Sequence, residues 1–511
     1  MKDINRKDNR VFYSSLVITI PICLWAIIDS KSFSNIVNNS FSFLTEKFGW
    51  LYLISMFSFI VFPLIIAFSK YGKLKLGEDD SKPEYSTMSW FAMLFCAGMG
   101  IGLIFWGVAE PLSHYLSPRG AIEPASVESA KFALKTSFLH WGLHPWAGYS
   151  LLGLCLAYFQ FRKGKKGLIS SIFEPLLGEK INGPIGVIID TLAVFATIAG
   201  VATSLGLGTL QINSGLNYIF KLPNNLTTQI IIISITTALF IISATSGLDK
   251  GIKTLSNINL YTAVFITLTA LCVGPTLEIF NNFTNAFGSY FQTIIYDSFN
   301  ISAYEDNSWL NGWTIFYWAW WIAWAPFVGT FIARISKGRT IKEFVLGVMI
   351  APAMASFIFF SIFGTLGIDL SMKGILNINE LQLIVGDVST AFFAVLSHYN
   401  LGLIISVVTI FLLITFFVTS ADSATFVLGM FTSNGELNPP NKKKVILGLL
   451  QSLLAICLLI TGGLTALQTA SIVAAFPFIF IMLLSMVSFV KALKDENLEN
   501  LSTKEKEIDN A

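Results

Sequence analysis

Charged side chains are scarce in this sequence. Asp, Glu, Lys and Arg together account for 13% of the 511 residues, whereas 54% of the residues are hydrophobic. Soluble chains normally carry roughly 25% charged residues. The composition therefore argues against a soluble globular protein and favours one embedded in a lipid bilayer. No nucleic-acid partner is expected.

Cysteine is also rare, and so are ionisable residues within the apolar stretches. The five cysteines lie inside or beside apolar runs, without the spacing of a disulfide framework or a metal-ligand cluster. Glu110, Asp190 and Asp422 fall within apolar runs but do not show the spacing of paired catalytic carboxylates. The four histidines are scattered along the chain, and we expect structural roles for them. Neither an enzymatic activity nor a cofactor is expected.

Long apolar runs dominate the chain instead. A helix needs about 20 apolar residues to cross a ~30 Å hydrocarbon core. We count twelve such runs, numbered spans 1 to 12: 11–30, 50–69, 88–112, 136–159, 183–217, 228–248, 258–278, 312–335, 342–369, 399–433, 443–463 and 468–490. The sequence therefore predicts an all-α membrane protein with about twelve transmembrane helices, located in the cell membrane.

Basic residues occur in alternate predicted loops. Loops rich in Lys and Arg follow the basic N-terminal segment at 70–75, 162–166, 250–253, 334–342 and 442–444. The segment 276–311 contains neither residue type. Because short loops rich in Lys and Arg stay on the cytoplasmic side, this alternation predicts an even number of spans, with both termini in the cytoplasm.

Two spans contain helix-breaking residues near their middle. Span 3 contains Gly98, Gly100 and Gly102, and span 8 contains Pro326. Interrupted spans at matching places in two halves indicate an inverted repeat with a binding site near the membrane midplane. The predicted layout is an N-terminal segment with spans 1 and 2 (1–87), a first repeat (88–278), an extracellular amphipathic linking segment (279–311), a second repeat (312–490) and a short cytoplasmic tail (491–511).

Tryptophan is concentrated in span 8. Trp324 lies one helical turn after both Trp320 and Trp321, so the three side chains converge on one helix face. Span 4 supplies a second aromatic group with Trp141, Trp146 and Tyr149. An interfacial aromatic belt is the alternative, but the span 8 trio runs into the middle of the span. Several electron-rich ring faces suit a cation without hydrogen-bond donors, such as a trimethylammonium group.

At these positions the sequence resembles the betaine/carnitine/choline transporter family. The resemblance rests on Gly98-Met99-Gly100-Ile101-Gly102, the run Phe105–Pro111, His140-Trp141 with His144-Pro145-Trp146, the span 8 tryptophans and Thr419-Ser420-Ala421-Asp422-Ser423. It implies a leucine-transporter-type fold, in which two inverted five-helix repeats follow two extra N-terminal helices. It also implies a homotrimer.

The resemblance further implies the residues of the binding sites. The substrate would be held by an aromatic box of Trp141, Trp146, Tyr149, Trp320, Trp321 and Trp324, with the backbone of Gly100, Ile101 and Gly102 facing its carboxylate. A coupling sodium ion would be bound by Cys96, Met99, Phe416, Thr419 and Ser420, and a possible second one near Thr197 and Phe327. One turn after Thr197 stands Val201, which offers no side-chain oxygen, so the second site lacks a usual ligand.

The expected function is uptake of a quaternary-ammonium compatible solute for osmoprotection, most consistently glycine betaine by sodium symport with alternating access. By the resemblance, Gly102 leaves room for a substrate carboxylate. The alternative is a choline or carnitine carrier driven by protons or by substrate exchange. The hydroxyls of Thr419 and Ser420 could bind the ion or hydrogen-bond back to their own helix.

Two further segments carry predictions. Residues 286–299 are expected to form an amphipathic helix on the outer surface, at the trimer contact, or else a packed extracellular loop. The charged stretch 494–511 is predicted to be a disordered, solvated tail.

Overall fold

The computed structural model describes residues 9–98, 100–246 and 249–496, and the side chains of 95–98 and 249–253 lie outside the description. Within these ranges the chain is helical, and the only extended pairing is a single bridge between Lys75 and Thr340. The longer helices are α1 (Arg10–Ile28), α2 (Ser30–Phe68), α3 (Thr87–Gly98), α4 (Ile101–Leu116), α5 (Val127–Trp141), α6 (Leu143–Ala157), α7 (Pro184–Phe220), α8 (Leu226–Ser246), α9 (Asp249–Val273), α10 (Thr276–Phe299), α11 (Phe316–Arg334), α12 (Ile341–Met372), α13 (Ile378–Gly386), α14 (Ala391–Leu396), α15 (Gly402–Phe431) and α16 (Asn441–Lys494).

Nine helices in the described ranges are long and apolar enough to cross a bilayer. This number differs from the twelve predicted spans because span 3 is divided between α3 and α4, span 4 is divided between α5 and α6, and α16 contains spans 11 and 12. A straight α16 would be about 80 Å long, more than twice the ~30 Å hydrocarbon core. Gly463, with φ 55° and ψ −129°, interrupts its helical backbone between the two predicted spans. The count of twelve stays a prediction.

The predicted interruption of span 3 is confirmed. Helix α3 ends at Gly98 and α4 begins at Ile101, while Gly100 between them has φ −141° and ψ −142°, outside the helical region. Glycine weakens a helix because it retains most conformational freedom in the unwound state. Met99 lies outside the described residues.

The predicted interruption at Pro326 is wrong, and span 4 carries a break that was not predicted. Helix α11 continues through Pro326, because packing on nearly all sides holds the helix although proline removes one backbone donor. Span 4 begins earlier than expected, at Val127, and is interrupted at Gly142. A Cβ atom at Gly142 would lie 2.5 Å from the carbonyl oxygen of Phe138 and 2.6 Å from Cε1 of Phe357, so glycine suits this close approach.

Burial separates a central helix from peripheral ones. The apolar stretch containing α11 is 94% buried, whereas that of α9 is 17% buried. Helix α11 packs against α6, α7 and α16. Peripheral α8 and α9 expose apolar side chains such as Ile235, Tyr261 and Leu268. An apolar exterior of this kind suits contact with lipid rather than water.

The segment 286–299 is helical, as predicted, and belongs to the longer helix α10. Helix α10 packs against α5 and α12 and leaves Phe280, Phe291, Ile295 and Tyr296 exposed. The trimer contact assigned to this surface stays a prediction.

The beginning of the C-terminal tail is packed rather than solvated, contrary to the prediction for 494–511. The carboxylate of Glu496 lies 2.9 Å from Nη2 of Arg162 and 2.7 Å from Nζ of Lys163, and it accepts a 2.7 Å hydrogen bond from the hydroxyl of Tyr158. These contacts join the end of α16 to the turn that follows α6. Residues 497–511 lie outside the described part of the chain.

Candidate functional site

A small internal cavity lies where the break between α3 and α4 faces α11. It is lined by Gly100, Ile101, Gly102, Leu103, Trp141, Ser204, Trp320, Trp321, Trp324 and Ser420. Its volume is about 20 Å³, which corresponds to about one water molecule. The space between the aromatic walls is therefore too small for a solute, and the rings that form them are in contact with one another.

Three tryptophan rings form the core of the aromatic wall. The rings of Trp320 and Trp321 are stacked, with centroids 4.9 Å apart and an interplanar angle of 14°. The ring of Trp141 meets Trp321 edge-on at 4.8 Å and Trp320 at 6.1 Å. The predicted convergence of spans 4 and 8 is thus realised in three dimensions for these three side chains.

The other predicted box residues lie at different distances from the cavity. Trp324 lines the cavity, and its indole N–H donates to the Gly200 carbonyl at 2.8 Å. Tyr149 lies behind Trp321, with ring centroids 6.4 Å apart, and Trp146 contacts Tyr149 at 5.6 Å. Neither Trp146 nor Tyr149 lines the closed cavity. These two side chains can reach a ligand only after the rings in front of them move.

Gly102 permits the close approach of the aromatic wall to the backbone of α4. A Cβ atom at this position would lie 2.6 Å from Cη2 of Trp320 and 3.1 Å from Cη2 of Trp141. At Gly100 the nearest atom to such a Cβ would be Oγ of Ser420, at 3.7 Å. Gly102 is therefore required by packing, whereas Gly100 places the helix break beside Ser420.

Unpaired hydrogen-bond donors belong to residues that line the cavity. The indole N–H of Trp320 is buried and has no acceptor among the described residues. Helix α4 begins beside the cavity at Ile101, and its N-cap residue, Gly100, provides no side-chain cap. The first N–H groups of a helix lack intrahelical acceptors and favour an anion. The arrangement can accept a carboxylate next to an apolar, ring-lined volume.

The residues predicted to hold the coupling ion are described only in part. Ser420 lines the cavity. The hydroxyl of Thr419 donates to the Thr415 carbonyl at 3.0 Å and, at 3.3 Å, to that of Phe416, which is the back-bonding alternative. Met99 lies outside the described residues, and Cys96 belongs to the last turns of α3, where side chains are outside the description.

Asn259 is a neighbour of this region that sequence reasoning missed. Its amide nitrogen donates to Oγ1 of Thr419 at 3.1 Å, and its amide oxygen is buried without a partner among the described residues. An amide oxygen is a suitable ligand for a hard cation. No local motif marks Asn259, because it lies on α9, 160 residues from Thr419.

The described residues add no further oxygen ligand to the possible second sodium site. The hydroxyl of Thr197 donates to the Ala193 carbonyl of its own helix at 2.8 Å, and Val201 is buried one turn later. Phe327 packs against Trp324, with ring centroids 5.5 Å apart. This site remains a prediction with an incomplete set of oxygen ligands.

A buried carboxylate cluster behind the tryptophans is the main feature that sequence reasoning missed. Ligand atoms of Glu110, His114 and His140 lie within 4.8 Å of one another, and all three residues are fully buried. Structural roles rather than a shared metal site were expected for the histidines, because they are scattered along the chain. The four-residue spacing of Glu110 and His114 on α4 was a usable signal, since residues so spaced share a helix face.

An all-helical chain with an apolar exterior, and with an aromatic cavity at an interrupted helix, has the features of a multi-pass membrane carrier. Residues 10–498 match the family model described as betaine/carnitine/choline family transporter, and the chain therefore belongs to this transporter family. It is 50% identical over 491 residues to the glycine betaine transporter OpuD of Bacillus subtilis (strain 168), which covers 96% of this chain and 95% of that protein.

Two other relatives carry names with different substrates. The ectoine/hydroxyectoine transporter of Virgibacillus pantothenticus is 44% identical over 488 residues, which covers 95% of this chain and 96% of that protein. The osmo-dependent choline transporter BetT2 of Acinetobacter baylyi (strain ATCC 33305 / BD413 / ADP1) is 39% identical over 505 residues, which covers 98% of this chain and 73% of that one. The family is thus established over almost the whole chain, and its members differ in substrate.

Proposed function

We propose that this protein takes up glycine betaine by sodium symport, through an alternating-access cycle of the inverted-repeat fold predicted above. The observation that carries the proposal is the meeting of Trp141, Trp320 and Trp321 at the helix break beside Gly100. The names of the relatives, OpuD first, support the substrate class.

The tryptophan rings suit the trimethylammonium end of the substrate. Each cation–π contact contributes about 0.5–2 kcal/mol, with the larger values where water is excluded. No carboxylate is among the residues that line the described cavity, which disfavours a primary ammonium with donors to satisfy. A fully methylated cation has no N–H donors, so no hydrogen bond is left unmade when it enters such a site.

The opposite end of the substrate fits the donors at the break. The unpaired N–H of Trp320 and the first N–H groups of α4 can donate to a carboxylate. Choline, with a hydroxyl in place of this carboxylate, would gain less from the positive end of the helix. This difference favours a betaine-like zwitterion.

The cavity must expand when substrate enters. A volume of about 20 Å³ holds one water molecule and is too small for a trimethylammonium group. Binding therefore requires the residues that line the cavity to move apart, and this movement would bring Tyr149 and Trp146 within reach of the ligand.

Sodium coupling is proposed because the ion residues adjoin the same break. Ser420 contacts the cavity near Gly100. Asn259, whose amide nitrogen donates to Oγ1 of Thr419, has a buried amide oxygen without a partner among the described residues. An ion bound between α3 and α15 would hold the break in place, and the carboxylate site would then be more complete. The homotrimer implied by the family resemblance is proposed to use the exposed apolar face of α10.

Ectoine and choline transport are the competing proposals within the family. Each is supported by the name of a relative. Carnitine exchange is the remaining alternative. Ectoine carries a ring amidinium with N–H donors, so a cavity with no carboxylate among its described lining residues should bind it less tightly than a fully methylated cation.

Uptake of radiolabelled glycine betaine into proteoliposomes tests the proposal. An inward sodium gradient should drive accumulation, while a potassium gradient of equal size should not. Unlabelled ectoine, choline and carnitine at a hundredfold excess identify the preferred substrate. Half-maximal inhibition by ectoine or choline at a lower concentration than by unlabelled betaine would reject betaine as the preferred substrate, and uptake that responds only to preloaded carnitine would reject symport.

A further inference from the structure

The carboxylate of Glu110 on α4 is fully buried and has four polar contacts. Oε1 lies 2.7 Å from Nδ1 of His140 and 3.3 Å from Nε2 of His114. Oε2 accepts hydrogen bonds from the indole N–H of Trp141 at 2.7 Å and from the hydroxyl of Tyr317 at 2.6 Å. Each oxygen therefore has two partners, which matches the acceptor capacity of an ionised carboxylate.

All four partner atoms can donate a hydrogen bond. The indole nitrogen of Trp141 can only donate. Nε2 of His140 faces Oγ1 of Thr314 at 2.9 Å, which leaves Nδ1 of His140 free to donate to Glu110 when the threonine hydroxyl donates to the ring. No Lys or Arg within the described residues forms an ion pair with Glu110. The only basic partners of the carboxylate among the described residues are therefore the imidazoles of His114 and His140, each of which can donate a hydrogen bond to it in the neutral form.

The carboxylate lies directly behind the aromatic wall. The ring of Trp141 lines the cavity on one side, and its N–H binds Glu110 on the other. The ring of Tyr317 lies 5.9 Å from that of Trp321. The indole N–H of Trp321 donates at 2.9 Å to the carbonyl of His140, whose side chain contacts Glu110. Two rings of the cavity wall are therefore linked to one carboxylate.

We propose that Glu110 supplies the negative charge for the cationic group of the substrate, acting through the ring of Trp141 and without touching the substrate. The proposal rests on the proposed function. A buried anion is costly without a compensating charge, and the substrate cation supplies that charge only in the bound state. A hydrogen bond from the indole N–H to the anion also makes the ring face more attractive to a cation.

A purely structural role and a metal site are the two competing explanations. Hydrogen bonds to Trp141 and Tyr317 would orient the rings whether or not the carboxyl group is charged. Glu110, His114 and His140 are close enough to share a metal ion, but the short distance of 2.7 Å between Glu110 and His140 is that of a direct hydrogen bond. The experiment must distinguish an effect of the negative charge of Glu110 from a purely structural role and from metal binding.

The test combines removal of the protein charge with removal of the substrate charge. Glu110→Gln keeps the size and one acceptor oxygen for Trp141 and Tyr317, while the histidines can change tautomer to accept from its amide. The probes are glycine betaine and tert-butylacetate, which has a tert-butyl group in place of the trimethylammonium group. Binding is measured by displacement of radiolabelled betaine from the purified protein. Glu128→Gln, on an exposed glutamate paired with Lys131, is the matched control.

The substitution should weaken betaine binding by about tenfold, the scale of one charge interaction across protein at an effective dielectric near 20. Binding of tert-butylacetate should change by less than about twofold, since a neutral group has no such interaction. Equal losses for both ligands would show that Glu110 only orients the rings. Unchanged betaine binding would also overturn the proposal, as would a stoichiometric metal ion in the purified wild type that Glu110→Gln lacks.

If Glu110→Gln does not fold, measurements on the wild-type protein still test the proposal. Wild type must bind betaine more tightly than tert-butylacetate, and equal affinity would reject a role for charge. Failure of the proposed substrate is a separate outcome: wild type would then bind neither ligand but would bind choline. In that case choline and its analogue with a tert-butyl group in place of the trimethylammonium group replace the two probes, and the ratio of their Kd values is measured.

Discussion

Replacement of Trp321 by leucine tests the aromatic cavity directly. Trp321 contacts two other rings of the wall, at 4.8 Å for Trp141 and 4.9 Å for Trp320. Leucine retains an apolar side chain but removes the π face. Loss of one desolvated cation–π contact costs about 2 kcal/mol, which corresponds to an increase in Kd of about thirtyfold. Trp321→Phe keeps a ring and should recover part of this loss.

The assay must separate binding from stability. A buried tryptophan-to-leucine change lowers the free energy of unfolding by about 2–4 kcal/mol wherever it is made. Trp318 is a matched control because it is fully buried on the same helix and stacks on His144, with centroids 4.6 Å apart, without lining the cavity. Both leucine variants should lower the Tm of the purified protein in detergent by similar amounts.

Betaine binding should distinguish the two variants. Kd, measured by equilibrium binding of radiolabelled betaine, should rise about thirtyfold for Trp321→Leu and less than about twofold for Trp318→Leu. Equal Kd values for wild type and Trp321→Leu would refute the assignment of the cation to this wall. Equal increases for both leucine variants would show that the effect comes from general loss of packing.

Three further predictions concern other parts of the molecule. Gly102→Ala places a Cβ atom 2.6 Å from Cη2 of Trp320, so betaine affinity should fall about tenfold or more because the methyl group displaces this ring from its place in the cavity wall. Thr419→Ala combined with Ser420→Ala should abolish the stimulation of uptake by a sodium gradient. Burial alone would raise the pKa of Glu496, but its hydrogen bonds from basic side chains outweigh this effect and lower the pKa to about 2. Glu496→Gln should therefore lower the free energy of unfolding at pH 7 by up to about 3 kcal/mol, and this difference should shrink as the pH falls from about 4 towards 2.

Each of these predictions has a control and a contradicting outcome. Gly288→Ala has no heavy atom within 4 Å of the new Cβ, and equal affinities for the Gly102 and Gly288 variants would refute the steric argument. Thr415→Ala removes a back-bonded hydroxyl one turn away, and sodium-driven uptake by the Thr419 and Ser420 double variant would rule out that ion site. Glu174→Gln breaks an exposed pair, and a pH-independent effect of Glu496→Gln would contradict the ionic explanation.

Features with a local cause in the sequence were predicted correctly, whereas features that depend on packing between distant residues were not. The glycines of span 3 predicted the break correctly because weak helix propensity is a local property. Pro326 did not break α11, since packing from neighbouring helices holds that backbone. The break at Gly142 was missed because a single glycine is a weak local signal, and the close approach of Phe357, more than 200 residues away, is not visible in the local sequence.

The aromatic residues illustrate the same limit. Helical spacing predicted that Trp320, Trp321 and Trp324 share a face, and all three line the cavity. Spacing could not determine that Trp146 and Tyr149 lie behind Trp321 in the closed state, because depth depends on how α6 and α11 pack. The order of rings around a cavity is a property of two helices together.

The sequence by itself determined the membrane environment, the helical class, the interrupted span and the transporter family. Each of these follows from apolar length, glycine content or contiguous motifs, which are properties of neighbouring residues. Only the tertiary structure decided that the rings close the cavity to about 20 Å³, that Asn259 reaches Thr419, and that Glu110 gathers Trp141, Tyr317 and two histidines. Apart from the contact of Glu110 with His114 within α4, those hydrogen bonds join residues separated by 30 to 207 positions, and hydrogen bonds over such separations depend on the packing of whole helices.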